Sequence, residues 1–531
     1  MLKAIYDIMN LFKKFATVAF GTLFSRLFGF IREVFMANAV GTGPVADAFN
    51  AAFRFPNSFR RLFAEGAFNA AFVPLFAKKI EEDGLTEARK FSEEVFGVLF
   101  SILFTMTVLM EIMMPLLVRY IIAPGFSEDP QKFSMTTHFA TIMFPYLSCM
   151  SLAAMMSGML NSLRKYFAAA IAPVFLNLIL ISILFYSWYH QLDSIHIGLY
   201  LSWGVMISGI IQLFIVWFAA RKAGMKISLK IPRFSTNVKR LLWLALPAAI
   251  TGGVTQINLL INTNIASQAS GAISSLIYAD RLYQLPLGVI GIAVATVLLP
   301  ELTLALRGKD KTQAIAVQNR SIEFTLLLSL PASAAFLILS KPIVKLIYEH
   351  GQFTEQSTNI VSALLAIYGL GLPAFVLIKS FVPIFFAHED TKTPMIFAII
   401  SVLLNSMLAI ILFPHFSAKG IATAEISAGW LNVLLLFFTL RKRNLWKNDR
   451  LFLQRIIHIF LATFIMSIAL LGFSYFFTPF FMCGVLFKQI LFIILTIIGA
   501  MLVYFSTIFS LGSFPLTVIL NILKNKKISP K

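Results

Sequence analysis

The chain has 531 residues, of which 58% are hydrophobic and 13% are charged, and its mean hydropathy is +0.83. Soluble domains carry roughly 45–50% apolar and about 25% charged residues, so this composition excludes a soluble enzyme, a disordered regulator and a secreted disulfide scaffold. One membrane-spanning helix takes about 20 apolar residues, so a chain of this length can hold a dozen or more spans. The predicted fold class is therefore an all-α polytopic membrane protein.

Apolar runs predict fourteen transmembrane helices. In chain order they lie near residues 15–38, 46–76, 94–118, 135–160, 166–189, 196–219, 241–265, 272–300, 321–340, 357–386, 394–413, 418–440, 452–477 and 484–510. The second run is longer than one straight span requires, which predicts a kink at Pro56 or a start outside the membrane. An even number of spans places both termini on the same side.

The positive charges orient these spans. If both termini are inside, 31 of the 44 Lys and Arg residues fall in internal segments and 6 fall in external ones. Cytoplasmic loops of membrane proteins collect Lys and Arg, so both termini are predicted to be cytoplasmic. The same rule explains the net charge of +20 without nucleic acid as a partner.

The chain also repeats itself at a spacing of 226–230 residues. The matching pairs are Pro56 and Pro286, Pro74 and Pro300, Pro115 and Pro342, Gly125 and Gly351, Pro145 and Pro373, and Asn177 and Asn405. Because six spans separate equivalent points, the two halves have the same orientation, as in transporters that bind substrate between parallel repeats. The predicted domains are residues 1–235 (N-lobe, spans 1–6), 236–445 (C-lobe, spans 7–12) and 446–531 (two added spans and a basic tail).

Charged side chains are concentrated in three of the predicted spans. The first span holds Ser25, Arg26, Arg32 and Glu33; the second holds Asp47, Arg54, Arg60, Arg61 and Glu65; the eighth holds Asp280 and Arg281. Asp47, Arg54 and Arg61 are seven residues apart, which places them close to one stripe of a helix. Ionisable groups inside a span cost about 2.5–3.5 kcal/mol each, so they normally face a partner or a hydrated cavity.

Two interpretations of these charges are open. They could be structural ion pairs, or they could line a cavity for an anion. Six arginines stand against four carboxylates, and uncompensated positive charge is costly in a low-dielectric interior. Because Arg suits two-point contact with phosphate oxygens, the sequence favours an anionic, phosphate-containing substrate.

Other chemistry is missing from the sequence. There is no GxxxxGK[ST] phosphate loop, no HExxH motif and no Cys/His cluster, so neither nucleotide hydrolysis nor a catalytic metal is predicted. Transport is the leading hypothesis. The alternatives are an exporter of a polyprenyl-pyrophosphate-linked saccharide, an exporter of cationic drugs, a membrane glycosyltransferase or ligase, and a purely structural scaffold. An arginine-rich cavity disfavours the drug exporter, and short external loops disfavour the enzyme.

Three segments resemble the MurJ family, the lipid II flippases of the MOP exporter superfamily. They are SRLFGFIREVFMA (Ser25–Ala37), DAFNAAFRFPNSFRRLFAEGAFNAAFVPLFAK (Asp47–Lys78) and YADRLYQLPLGVIGIAVATVLLPEL (Tyr278–Leu302). The resemblance covers essentially the whole chain, including fourteen spans and the added final pair. It implies a V-shaped, two-lobed transporter that moves undecaprenyl-pyrophosphate-linked peptidoglycan precursor outward across the bacterial inner membrane. Membrane lipids and the cell-wall synthesis machinery would be its other partners.

The resemblance also assigns roles to the charged residues. By analogy, Arg26, Arg32, Arg60, Arg61 and Arg281 would hold the pyrophosphate and first sugar, and the lipid tail would run along the last two helices. The family's other functional positions fall on Asp47, Glu65 and Asp280; with Ser25, Glu33 and Arg54 they would supply cavity charge and respond to conformational change. No catalytic residue and no cofactor are implied.

Two departures from the family pattern concern acidic residues. Glu33 stands where relatives often have Asp, which keeps the charge. Some relatives bind sodium through carboxylates on spans 7 and 11, whereas residues 241–265 and 394–413 contain no Asp or Glu. We therefore expect no sodium site there, which leaves the membrane potential or a proton gradient as the driving force.

Overall fold

The computed structural model describes residues 21, 23–61, 68–307, 311–482 and 485–512, and every regular element among them is helical. Helix α1 covers residues 23–40. The others are α2 (Pro44–Arg60), α3 (Phe68–Ile112), α4 (Met114–Leu117), α5 (Pro130–Met143), α6 (Tyr146–Ser162), α7 (Phe167–Tyr189), α8 (Ser194–Lys222), α9 (Thr236–Ala266), α10 (Ala272–Arg307), α11 (Lys311–Tyr348), α12 (Glu355–Ala387), α13 (Lys392–Phe416), α14 (Ala418–Lys442), α15 (Arg450–Met482) and α16 (Leu486–Ser510). A π-helical turn (Val118–Ile122) and a 3₁₀ turn (Pro124–Glu128) join α4 to α5.

Ten helical segments within the described residues are long and apolar enough to cross a membrane. They correspond to predicted spans 3–6 and 9–14. Predicted span 7 falls on α9, whose two parts, Thr236–Pro247 and Gly252–Ala266, meet at 57° and together would make an eleventh. The proline at the bend cannot donate a backbone hydrogen bond, which favours a break there. The predicted class, an all-helical polytopic membrane protein, is confirmed.

Three predicted spans are neither among these ten segments nor part of α9. They are the first, second and eighth, which carry the clustered charges. The bounds of the predicted helix over 46–76 stay a prediction, because part of it lies outside the described residues. The structure assigns residues 46–60 to α2, which continues through Pro56, and residues 68–76 to α3. The connection, residues 62–67, lies outside the described residues and contains Glu65.

Helix α3 continues through a segment that hydropathy assigned to a cytoplasmic loop. Lys78 pairs with Glu82 and Lys79 with Asp83, both at i,i+4 spacing, which stabilises a solvated helix without apolar burial. Gly84 interrupts it with φ 79°, a conformation that glycine adopts at little cost. α3 thus consists of two helices that meet at Gly84. The first ends in charged residues, and the second is mostly apolar.

The described chain divides into two compact units. The first contains residues up to Ser274 together with His350–Thr354, and the second contains Ser275–Glu349 and the rest of the chain from Glu355. Helix α9, the seventh span, therefore packs in the first unit, although the repeat assigned it to residues 236–445. The repeat-based lobe boundaries at 235/236 and 445/446 stay a prediction.

An apolar core within the first unit holds several of its helices together. Phe72 stacks on Phe76 and Phe91, with ring centroids 5.5 and 5.9 Å apart. Met155 and Met159 of α6 are fully buried in the same cluster. Burying such side chains contributes about 1.5–3 kcal/mol each, so this cluster fixes α3 against α6 and supports the polar groups described next.

Candidate functional site

Asn177 of α7 organises the charged part of α1. The Arg32 guanidinium donates to Asn177 Oδ1 at 3.1 Å and also contacts the Glu33 carboxylate. Asn177 Nδ2 donates to the Ser25 carbonyl at 3.1 Å, so a single amide bridges two turns of α1. Asn177 thus joins α7 to α1 by hydrogen bonds.

The α1 residues differ in their exposure. Arg32 is 9% exposed and Glu33 is 2% exposed, whereas Arg26 is exposed and Ser25 is partly buried. A buried Arg with a carboxylate and an amide as acceptors is held in one orientation, because each partner fixes one edge of the planar guanidinium. In this conformation Arg32 and Glu33 form the structural ion pair that was one of the two interpretations, while Arg26 remains accessible.

Asp47 of α2 is completely buried and accepts hydrogen bonds from four groups. Lys132 Nζ of α5 lies 2.9 Å from Oδ2, and the Gly271 N–H donates to the same oxygen at 2.7 Å. The Ser274 N–H and hydroxyl donate to Oδ1 at 3.0 and 2.8 Å. A buried carboxylate is costly unless it is paired and hydrogen-bonded, and here it is both. Asp47 was predicted as a cavity charge; the structure instead places it in a closed polar network.

The backbone geometry around Gly271 explains how Asp47 obtains two N–H donors. Gly271 has φ 75°, a left-handed conformation that turns the chain between α9 and α10. The N–H groups at a helix start have no intrahelical acceptor, and a carboxylate there also interacts favourably with the helix dipole. Asp47, a residue of α2, therefore caps the start of α10. These first residues of α10 belong to the first unit.

Arg54 lies two turns after Asp47 on the same side of α2. Its guanidinium donates to Thr263 Oγ1 of α9 at 2.9 Å, close in sequence to the Gly271 turn that Asp47 contacts. Asp47 and Arg54 thus contact different residues, the Gly271 turn and the last turn of α9, and their sharing one stripe with Arg61 stays a prediction. Arg54 is partly buried, so part of its side chain stays accessible.

Arg60 and Arg61 stand at the end of α2. Arg60 Nε donates to Asn57 Oδ1 at 2.9 Å on the same helix. Arg61 is exposed. Side chains at neighbouring positions of a helix point about 100° apart, so the two guanidinium groups lie on different sides of the helix end. Glu65, which sequence alone placed four residues after Arg61, lies outside the described residues.

The second unit holds Asp280 and Arg281, both partly buried on α10. Gln284 Nε2 donates to Asp280 Oδ2. One turn of helix further, the Tyr283 ring stacks on Tyr368 of α12 at 5.4 Å, and the Tyr368 hydroxyl donates to Glu425 of α14 at 3.4 Å. Asp280 and Arg281 therefore lie close in sequence to Tyr283, which belongs to a group of polar side chains from α10, α12 and α14.

Sequence reasoning missed two partners of the predicted site residues. Lys132 was assigned to an external loop, but it is 6% exposed and neutralises Asp47. Thr263 was not singled out at all. A signal for the first did exist: Lys132 and Arg119 are the only basic residues between positions 91 and 163, and a buried carboxylate in a span requires a donor. Nothing in the local sequence marks Thr263.

Comparisons with known proteins agree with this arrangement. The family model described as "Lipid II flippase MurJ" matches residues 36–492. The "Probable lipid II flippase MurJ" of Rhizobium meliloti (strain 1021) is 62% identical over 512 residues, covering 96% of both chains.

Solved structures support the same assignment. A structure of "Lipid II flippase MurJ, inward closed conformation" matches with a TM-score of 0.76 and 27% identity, covering 96% of this chain and 99% of that one. An inward-facing MATE-family multidrug transporter of the MOP superfamily matches with a TM-score of 0.66 and 14% identity over 79% of this chain and 94% of that chain, which shows a shared fold alone. The chain belongs to the MurJ family of lipid II flippases.

Proposed function

We propose that this protein moves lipid II, the polyprenyl-pyrophosphate-linked precursor of peptidoglycan, from the cytoplasmic to the periplasmic leaflet by alternating access. The observation that carries the proposal is the match of the lipid II flippase family model to residues 36–492. The protein is a transporter and not an enzyme. Its substrate is amphiphilic, so it must offer both a polar path for the headgroup and an apolar surface for the tail.

The arginines of α1, α2 and α10 support the polar path. Arg26 and Arg61 are exposed, and Arg54, Arg60 and Arg281 are partly buried, so all five have donors that a ligand can approach. A guanidinium matches two phosphate oxygens at once, which an ammonium group does not. We assign contact with the pyrophosphate and first sugar to Arg26, Arg32, Arg60, Arg61 and Arg281.

Arg32 takes part only if its present contacts change. Asn177 and Glu33 occupy it in this conformation, so a phosphate would have to replace one of them. Such competition gives the transporter a way to release its cargo, because a ligand shifts a conformational equilibrium only if it binds the two states differently. Glu33, Glu65 and Asp280 would then act by pairing with or releasing these arginines, while Ser25, Asp47 and Arg54 would respond to the conformational change.

The last two helices support the apolar path. Helices α15 and α16 pack against each other and leave long apolar side chains exposed, among them Phe464 at 63% and Leu502 at 64%. A polyprenyl chain has no polar groups to satisfy along its length, so a continuous apolar surface is sufficient to hold it. We assign the lipid tail to this helix pair.

The decisive experiment is depletion of the protein in its native bacterium, followed by measurement of lipid II accessible at the periplasmic face. We expect accessible lipid II to fall while total lipid II rises. Complementation by the wild-type gene should restore it, and the Arg281→Ala variant at equal membrane level should not. Undiminished accessible lipid II in a strain that lacks any second flippase would refute the proposed function.

We further propose that the protein resides in the inner membrane with both termini in the cytoplasm. In a variant without Cys149 and Cys483, a cysteine at Ile231, which is 81% exposed, should resist impermeant thiol reagents in whole cells. A cysteine at His190, exposed in the α7–α8 turn, should react. Equal labelling at the two positions would overturn the topology.

A further inference from the structure

A pocket of about 670 Å³ opens where three turns of the first unit meet. It is formed by the end of α1, the turn between α7 and α8, and the segment 350–354. Six side chains define it here as the three-turn pocket: Asn38, Ser187, Trp188, Tyr189, Gln191 and Gln352. The positive-inside distribution of Lys and Arg predicts all three turns to be periplasmic. None of the residues described as lining it carries a charge.

The floor of the three-turn pocket is fixed by backbone contacts. The Gln352 N–H donates to the Asn38 carbonyl at 2.9 Å. Gly41 and Gly351 have φ values of 57° and 58°. A Cβ on Gly41 would lie 2.4 Å from the Gln352 carbonyl oxygen, and a Cβ on Gly351 would lie 2.5 Å from that of Asn38. Because both glycines are needed for this approach, the Asn38 and Gln352 side chains start from backbones held in one place.

The third turn is equally well defined. Gln191 has φ 49°, and the Leu192 N–H donates to the Ser187 carbonyl at 3.1 Å. This is the hydrogen-bond pattern with which helices commonly end on a left-handed residue, a position that glycine or asparagine would occupy with less strain. The left-handed backbone conformation costs more free energy for glutamine than for glycine or asparagine. It places the Gln191 amide at the pocket.

The chemistry of the three-turn pocket combines aromatic faces with neutral amides. Trp188 and Tyr189 are 66% and 71% exposed. Two exposed aromatic residues alone are typical of the belt at a membrane interface. The pocket adds three amides from three separate turns, and it adds Ser187, which is 1% exposed and whose hydroxyl has no hydrogen-bond partner among the described residues. Buried hydroxyls are normally satisfied, so this one marks a place for a polar ligand atom.

We propose that the three-turn pocket binds the neutral, N-acetylated sugar rings of a lipid-linked saccharide on the periplasmic side. Amides both donate and accept, which suits hydroxyl and acetamido groups, and indole and phenol rings offer apolar faces to the C–H side of a sugar ring. The absence of charge among its lining residues makes pyrophosphate and peptide carboxylates poor ligands. Pockets of about 300–1,000 Å³ hold small molecules, a range that includes one or two sugar rings.

This proposal rests on the proposed function, because it gives the translocated headgroup a second site after the arginines. Sugars that leave the arginine contacts would be held at the exit by weaker, uncharged contacts. A weak exit site lowers the chance that the headgroup returns without holding the product so tightly that release becomes slow.

The test uses the full-length protein in lipid nanodiscs and N,N′-diacetylchitobiose, a neutral disaccharide without lipid, phosphate or peptide. Saturation-transfer difference NMR should show transfer to its acetyl methyl protons. Trp188→Ala and Gln191→Gly should each reduce the transfer at least fivefold. Gln191→Gly removes the amide but suits the left-handed turn, so a loss there cannot be ascribed to unfolding of the turn.

Two variants serve as matched controls. Gln191→Asn keeps an amide and tolerates the same backbone conformation, and it should retain at least half of the signal. Trp203→Ala removes a tryptophan of α8 that is 49% exposed and lies outside the pocket, and it should bind like the wild type. Signal that is absent from the wild type, or that survives both pocket variants, would overturn the proposal.

The same assay separates this proposal from the proposed function. It contains no lipid-linked precursor, so it reports on the pocket even if the depletion experiment shows that lipid II is not the cargo. Conversely, Arg281→Ala should abolish complementation and keep the part of the disaccharide signal that depends on Trp188 and Gln191. Loss of that part in the Arg281→Ala variant would overturn the three-turn pocket as an independent site.

Discussion

Glu93 and Glu323 lie 230 positions apart and make equivalent contacts in the two compact units. Glu93 is 3% exposed and accepts from Arg89 at 3.1 Å and from Lys230 at 2.5 Å. Glu323 is 1% exposed and accepts from Arg320 at 2.7 Å and from Arg455 at 3.0 Å. Each carboxylate thus holds one cation from its own helix and one from the chain that follows the last helix of its repeat. The repeat therefore extends to the way in which the segments after α8 and α14 are anchored.

We expect Glu93→Gln and Glu323→Gln to lower the free energy of unfolding by about 1–3 kcal/mol each, the range for hydrogen bonds to charged groups. The amide keeps the shape of the side chain but loses the charge that both cations share. Thermal unfolding of the purified protein measures the effect. Glu82→Gln is the control, because its pair with Lys78 is exposed on both sides and should matter by less than about 0.5 kcal/mol. Equal shifts in all three variants would show that the anchors do not stabilise the fold.

The Asp47–Lys132 pair predicts strong coupling between two mutations. Asp47→Asn alone leaves Lys132 buried without its counter-ion, and removing one partner of a buried pair costs about 3–5 kcal/mol. Lys132→Met together with Asp47→Asn should recover part of this loss, because no uncompensated charge remains. A thermal-stability cycle of the two single variants and the double variant gives the coupling energy. Strictly additive effects would contradict the network.

The proposed substrate contacts predict that guanidinium geometry matters as well as charge. Arg32→Ala, Arg61→Ala and Arg281→Ala should fail to complement a depletion strain at near-normal protein level. Each lost charge-assisted hydrogen bond is worth about 1.5–3 kcal/mol, or about tenfold or more in binding. Arg→Lys should restore activity only partly. Arg221→Ala, at an exposed position at the end of α8, should complement fully. Full activity of all three alanine variants would show that the arginines take no part.

The turn before α13 predicts a pH dependence. Hydrogen bonds from the Thr393 hydroxyl and N–H, together with Arg443, lower the pKa of Asp390 to about 2. Because the folded pKa lies below the unfolded value of about 3.9, the carboxylate stabilises the fold above about pH 4, and this contribution is lost as the pH falls towards 2. The stability difference between wild type and Asp390→Asn should therefore be constant above pH 5 and shrink in acid. A difference that grows in acid would contradict the assignment.

The missing carboxylates on spans 7 and 11 predict transport that does not need sodium. Replacing sodium by choline should leave flipping intact, and valinomycin with potassium should slow it more than nigericin does. The physical reason is that an anionic headgroup moving outward gains about 2.3 kcal/mol per charge for each 100 mV of potential. The assay is appearance of lipid II at the outer face under each condition. A strict requirement for sodium at constant potential would refute this prediction.

Local patterns in the sequence determined the fold class and the positions of the charged residues along the helices. Hydropathy is averaged over about 20 residues, and the helical period is a local property, so both can be found without knowledge of distant contacts. The boundaries near charged segments were less accurate. Hydropathy ended the second span at residue 76, whereas α3 continues to Ile112 through a charged segment that i,i+4 ion pairs stabilise.

Tertiary structure alone decided which of the charges are neutralised. Asp47 was counted among the cavity charges, yet its partners Lys132 and Gly271 lie 85 and 224 positions away. The same is true of Asn177, which binds Arg32 across 145 positions. No local pattern encodes such pairs, because packing of helices brings them together. The sequence by itself thus determined that charge had to be buried in this membrane protein, and the packing of α1, α2, α5 and α7 decided where that charge is compensated and where it stays accessible to a ligand.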